Sequence, residues 1–395
     1  MESLWQSDRH EPLVERRWDQ EIARGSIERI VADTLAAATP SGEWPNHPSD
    51  LPDDAPPLGG LYFGASGVIW ALDYLARHGL AERPTDLIAQ LPAILASNRT
   101  IVGRFSVQTR GYLLADAGVL LAQIRLAAGA EAGDELADII AANTDDPARE
   151  LMWGAPGTML AARFMSEATE EARWSELFQR GASALKSAFH HEDGVDCELW
   201  TQDLYGQSTN YIGAVHGLAG NAFVLQAGRN LLPDRDWDWW QARLARALRA
   251  AAVVEGGFAN WPATTARDSS RLVQHCHGAP GMVTSFAALE ADIDDLLLAG
   301  GELTWRAGPL AKGSNLCHGT AGNGYAFLKL FERTGETLWL DRARAFAMHA
   351  IGQSEAEAAG LGRRRYTLWT GDLGLAIYLF DCLDGRARFP TLDVF

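Results

Sequence analysis

The sequence predicts an all-α protein folded as an α/α toroid, a barrel of seven inner and seven outer helices. A Gly-x-x-Gly turn, or a near variant, occurs seven times, each running into about a dozen residues with helical apolar spacing. A second, more charged helical stretch lies between successive turns, and one more precedes the first. The turns are spaced irregularly, by 39 to 63 residues, and neither end carries a polar capping repeat. A closed ring fits this better than an open solenoid of nearly fixed period.

In chain order, residues 1–55 are expected to form an N-terminal helix, SIERIVADTLAAA, and a rim loop. The Pro/Asp/Gly-rich PSDLPDDAPPLGG that follows WPNH would cross one rim of the toroid and gate access to it. Residues 56–385 hold the seven helix pairs, whose turns begin at Gly64, Ala115, Gly154, Gly217, Gly278, Gly319 and Gly371. Helices directly after a turn are the less charged set and are expected inside. Stretches such as EARWSELFQRGASALKSAF and DWDWWQARLARALRAA carry one apolar stripe and are expected outside. No run of period-two alternation stands out, so no strand is expected. The glycines let the chain bend sharply where helix starts crowd toward the ring axis. If the ring closes, residues 1–395 are one domain, overriding the two or three that the length alone would suggest.

Apolar residues make up 47% and charged residues 22%, the mix of a globular chain with a large core. Against 34 basic residues stand 51 acidic ones, a net charge of −17, and such a surface repels phosphate backbones and anionic headgroups. Nucleic-acid binding and membrane insertion are therefore not expected. The charged start MESLWQSDRHEPLVERRWDQE is unlike a signal peptide, and a cytoplasmic protein is expected. Four scattered cysteines are too few for a secreted disulfide framework and are expected to be reduced.

Equivalent positions in a ring of repeats share one rim, so the residues just ahead of each turn can be compared. One residue before stand Phe63, Leu114, Trp153, His216, His277, His318 and Thr370; two before stand Tyr62, Leu113, Met152, Val215, Cys276, Cys317 and Trp369. Metal-binding side chains concentrate in repeats four to six. Packed helices lie about 8–10 Å apart, so side chains from the adjacent fifth and sixth turns can meet. Cys276, Cys317 and His318 make a Cys₂His set suited to a single Zn²⁺ per chain, and three protein ligands leave a fourth position for water or substrate, as in catalytic zinc sites. Buried core thiols are the plain alternative. His277 stays open between a fourth ligand, a catalytic acid and a surface side chain. Cys197 and Cys382 fall outside the register and are expected to be packing residues.

WGAPG, HGLAG, QHCHGAPG, NLCHGTAG and the final GDLG, strung along a helical chain, resemble the motifs of the LanC-like family, the lanthionine synthetase C cyclases and their free-standing relatives, from about residue 55 to 383. The resemblance implies the same toroid, a zinc ion on Cys276, Cys317 and His318, and a part in proton transfer for His216 of the HGxAG motif. Glu150 matches a position where the family places an acidic residue near the active site; it would orient an imidazole or else stand as a solvated carboxylate. CHGAPG, with His277 after the first cysteine, resembles the relatives that add glutathione to dehydrated residues of proteins, whereas cyclases often have Tyr there. Lys312 matches a lysine of that group that handles anionic parts of the substrate.

The family chemistry is activation of a thiol at zinc for addition to dehydroalanine or dehydrobutyrine. Negative charge then moves to an enolate, whose α-carbon takes a proton that an imidazole of pKa about 6.5 can supply. His216 is the first choice and His277 the second. The run Arg363, Arg364, Arg365 would offer guanidinium groups to carboxylates or phosphate, with Arg364 and Arg365 as candidate substrate contacts, or else form a solvated loop. Trp153, Trp261 and Trp369 would wall the central cavity or fill the core. The expected function is zinc-dependent thiol addition to a dehydroamino-acid-containing peptide or protein, with glutathione the favoured thiol. A lanthionine-forming cyclase acting on a peptide cysteine, a prenyl transferase and a non-catalytic glutathione-binding adaptor are the alternatives.

Overall fold

The computed structural model describes residues 4–105, 109–127, 129 and 132–395. Outer helices α1 (Gln20–Ala37), α3 (Leu91–Phe105), α5 (Ala132–Asn143), α7 (Ala172–Ser187), α9 (Asp234–Ala250), α11 (Asp294–Ala307) and α13 (Thr337–Leu361) alternate along the chain with an inner set. The inner helices are α2 (Ala65–Arg77), α4 (Asp116–Ala127), α6 (Ala155–Thr169), α8 (Leu218–Ala227), α10 (Ala279–Phe286), α12 (Thr320–Thr334) and α14 (Asp372–Asp384). Each inner helix packs on the next and α14 packs back on α2, so the ring closes. The expected toroid of seven inner and seven outer helices is the observed fold. Among the described residues no helix is long and apolar enough to cross a membrane.

Burial separates the two layers as hydrophobic spacing dictates. Inner α8 buries every residue from Leu218 to Leu225, whereas outer α9 buries only Trp237, Trp240, Leu244, Ala247 and Leu248, one stripe at helical spacing. The second glycine of each turn has a specific cause: a Cβ there would overlap the backbone carbonyl six residues earlier, that of Leu61 for Gly67, Leu316 for Gly322 and Leu368 for Gly374. The loop before each inner helix is folded flat against that helix's first turn, and only a residue without a side chain permits the approach.

Two features depart from the sequence reading. Among the described residues three short hairpins occur, pairing His190–Glu192 with Cys197–Leu199, Gln202–Leu204 with Gln207–Thr209, and Val253–Glu255 with Phe258–Asn260. They occupy the two longest gaps between turns. Their strands are three residues each, too short to register as alternation. In addition, residues 386–395 fold back into the ring. Phe389 stacks on His275, Phe395 packs near Trp70 and Phe164, and the Tyr112 hydroxyl donates to the Thr391 carbonyl. At the other end, Leu4 is buried with its carbonyl accepting from Asn260, and Asp19 caps α1 by accepting from the Glu21 and Ile22 amides.

Candidate active site

The turn residues stand at one height because their backbones are bonded to one another around the rim. The Cys276 amide donates to the Cys317 carbonyl (3.0 Å), Cys317 to Trp369 (3.0 Å), Trp369 to Tyr62 (2.9 Å), Tyr62 to Leu113 (2.9 Å) and Leu113 to Met152 (3.3 Å). All of these residues lie two positions before their turns. The register read from the sequence is thus a physical chain of hydrogen bonds, and it sets neighbouring side chains beside one another.

At the fifth and sixth turns this places Cys276 Sγ, Cys317 Sγ and a ring nitrogen of His318 within 4.8 Å of one another. Two soft thiols and an imidazole form a donor set that suits zinc. For Cys276 and His318 the surroundings favour the ligand state, and for Cys317 they favour the protonated thiol. The Cys317 thiol donating to Cys276 lowers the Cys276 pKa, with burial opposing, and the Gln274 amide donates to the same sulfur at 2.9 Å. The same bond, together with burial, raises Cys317. Burial pulls His318 down to about 4, with the charges of Lys312 and Arg365 adding, so its imidazole is neutral as a metal ligand requires. The Asn315 side-chain oxygen accepts from the His318 backbone amide at 3.0 Å and holds this turn.

His216, from the fourth turn, stands beside this cluster. Its Nδ1 lies 2.9 Å from Glu150 Oε2. Glu150 is fully buried and also accepts from the Met152 (2.9 Å) and Trp153 (2.6 Å) amides, so its carboxylate cannot turn away. Burial disfavours a charged His216, but the hydrogen bond to Glu150 and its charge outweigh it and leave the pKa above the ordinary value. With Nδ1 occupied, Nε2 is the nitrogen left for chemistry, and the side chain is 18% exposed. His277 stacks 6.0 Å from His216, outside the thiol cluster; burial drives it to about 3, with His216 and Lys312 adding, and its Nδ1 has no hydrogen-bond partner.

A cleft of about 900 Å³ is bordered by His318. Lys312, Arg365, Ser49, Glu11, His349 and Glu357 line it, and the Lys312 side chain is exposed there. Glu11 reaches the cleft from the N-terminal strap, bonded to His349 Nε2 and to Gln353, each at 2.7 Å.

Residues 50–394 match the family model described as lanthionine synthetase C-like protein. The chain belongs to the LanC-like family. It is 27% identical over 256 residues to LanC-like protein GCL1 of Arabidopsis thaliana, covering 62% of this chain and 58% of that one. It is 29% identical over 192 residues to the Danio rerio protein named glutathione S-transferase LANCL1, covering 47% of this chain and 46% of that one. The chain thus spans about half the length of the curated relatives it matches. Among solved structures, nisin cyclase superposes with a TM-score of 0.63 at 12% identity, over 93% of this chain and 96% of that one, a likeness of fold.

In this LanC-like chain the arginine run does not stand free. Arg365 is buried, and its guanidinium grips Asp50 of the rim loop through both oxygens, with Nε at 2.9 Å. Arg363 holds the Asn46 carbonyl (2.8 Å) and Asp53. Arg364 does not line the cleft: it bonds Asp33 on α1 (2.6 Å) and Ser354 on α13 (3.1 Å), and lies near Asp372. The run clamps the rim loop and α1 onto the ring, and of the three only Arg365 borders the cleft. Trp261 and Trp369 are core residues, fully buried, with indole N–H groups donating to Leu248 and Thr391.

Sequence reasoning passed over several groups adjacent to the cluster. Tyr62 hydrogen-bonds the Cys317 thiol and stacks on Trp369 with centroids 5.6 Å apart. Its position two before the first turn was the available signal, since ring closure makes the first and last repeats neighbours. Gln274 contacts Cys276 directly, and Tyr205 and Tyr211 flank His216 at 6.3 and 6.0 Å. The neighbouring His275 points the other way, into the core against Phe389, where burial drives it to about 3.

Proposed function

We propose that the chain adds a thiol, glutathione in the favoured reading, to a dehydroalanine or dehydrobutyrine residue of a peptide or protein, forming a thioether. The observation that carries this reading is the convergence of Cys276, Cys317 and His318 beside an imidazole held by a buried carboxylate. Cys276, Cys317 and His318 would hold a zinc ion, which when bound supplies stabilisation of a thiolate at neutral pH. Reduced thiols are needed throughout, which suits the cytoplasm.

The chain's own residues account for the rest. As the thiolate sulfur bonds to the β-carbon, the C=C π pair moves to the carbonyl as an enolate. His216, oriented through Nδ1 by Glu150, gives its Nε2 proton to the α-carbon. The proton released by the next thiol restores the imidazolium, so the reaction is a net addition without a leaving group. His277, neutral through burial, is the weaker donor. On the cleft, the exposed Lys312 would meet a carboxylate of glutathione beside Arg365, whose guanidinium is already paired with Asp50, and the name of the Danio rerio relative supports that thiol.

Mass spectrometry of a dehydroalanine peptide incubated with zinc-loaded protein and glutathione tests the reading. A mass gain of one glutathione is expected. A peptide that carries its own cysteine and cyclises at unchanged mass, with no adduct from free glutathione, would instead indicate a cyclase, and tight glutathione binding with no product an adaptor.

A further inference from the structure

We propose that Tyr205, at the tip of the second hairpin, is the docking platform for the acceptor polypeptide, the chain that carries the dehydroamino acid. This rests on the reaction proposed above and assigns its second substrate a place.

The hairpin belongs structurally to the Glu150–His216 unit. Gln202 at its base is fully buried and accepts from the Tyr211 amide at 2.8 Å, while the Asp203 amide donates to the Pro147 carbonyl at 2.9 Å. The strand carrying these bonds is therefore fixed to both loops that present the dyad. At the tip, Tyr205 adopts φ of 52°, an unfavourable backbone for tyrosine, and the residue is 70% exposed. Yet the ring is not loose: its hydroxyl accepts from Trp153 Nε1 at 3.2 Å, and it stands edge-on to His216.

A large aromatic held in place but open to solvent suits binding, because little side-chain freedom remains to be lost. Its location selects the ligand. Tyr205 and Tyr211 flank His216, the proposed donor to the α-carbon, and neither lines the cleft beside His318 that bears Lys312 and Arg365. The anionic thiol fits the cleft, leaving the hairpin side for the acceptor. Planar peptide groups flanking an unsaturated residue can stack on the exposed ring, as an extended polypeptide allows.

The test is fluorescence anisotropy of a fluorescein-labelled decapeptide containing dehydroalanine, added to zinc-loaded protein with no thiol present. Tyr205→Ala is expected to weaken binding about fivefold to tenfold, and Tyr205→Phe, which keeps the ring, to stay within about twofold of wild type. Equal affinity in wild type and Tyr205→Ala overturns the proposal, as does an absence of binding by wild type. Because no thiol is present, a peptide that binds through Tyr205 but gains no glutathione in the separate assay would overturn the reaction and keep the docking surface.

Discussion

Glu150 and His216, 66 residues apart in the chain, meet at 2.9 Å, the carboxylate fully buried and the imidazole partly open. Removing the charge while keeping the shape, with Glu150→Gln, isolates what the carboxylate does. The protonated imidazole is the proposed donor, so activity holds below the His216 pKa and falls as pH rises through it. That pKa lies above the ordinary value in the wild type, with burial opposing and Glu150 supporting the charged form. In the variant, burial acts with less opposition, so the alkaline limb of the kcat profile moves to lower pH and kcat near neutrality drops by about tenfold or more. An unmoved limb would place the titrating group elsewhere.

His216→Ala removes the donor itself. Its kcat is expected to fall by about 10²–10⁴-fold, the usual worth of a positioned acid, while zinc content matches wild type. Loss of metal together with activity would instead make His216 part of the metal site.

Cys317→Ala separates the metal from the fold. Elemental analysis is expected to find about one zinc per wild-type chain and close to none in the variant, with helical circular dichroism retained. Full zinc retention would contradict the shared site.

For Lys312→Ala, the specificity ratio between glutathione and 2-mercaptoethanol is the informative quantity. Removing an exposed cation from the cleft should lower kcat/KM for glutathione by about tenfold relative to the uncharged thiol. An equal effect on both thiols would point to a general disturbance.

Gly278→Ala tests the turn geometry. Gly278 has φ of 115°, and a Cβ would overlap the Leu272 carbonyl, directly after Cys276 and His277. The substitution is expected to cost about 2 kcal/mol or more and to lower melting temperature and zinc affinity together. Unchanged melting would mean that the turn relaxes freely.

Much of this molecule is legible in one dimension. Turn glycines and the contrast between apolar and striped helices are local properties, and a ring of repeats converts equal offsets from a turn into equal heights. That is why spacing alone groups Cys276, Cys317, His318 and His216. The three hairpins escape the same reading, because strands of three residues carry too little pattern.

What the sequence settled by itself is the architecture and the set of donors at one rim, since both follow from periodicity. Only the tertiary structure decided which way side chains turn and what closes on them. His275, Cys276 and His277 are consecutive, yet one points into the core, one into the thiol cluster and one toward His216. Arg364 lies beside Arg365 but is drawn to Asp33 of α1, more than 300 residues away along the chain. Tyr62 reaches Cys317 because α14 packs back on α2. Such outcomes depend on contacts between distant segments competing for each side chain, and no local spacing encodes that competition.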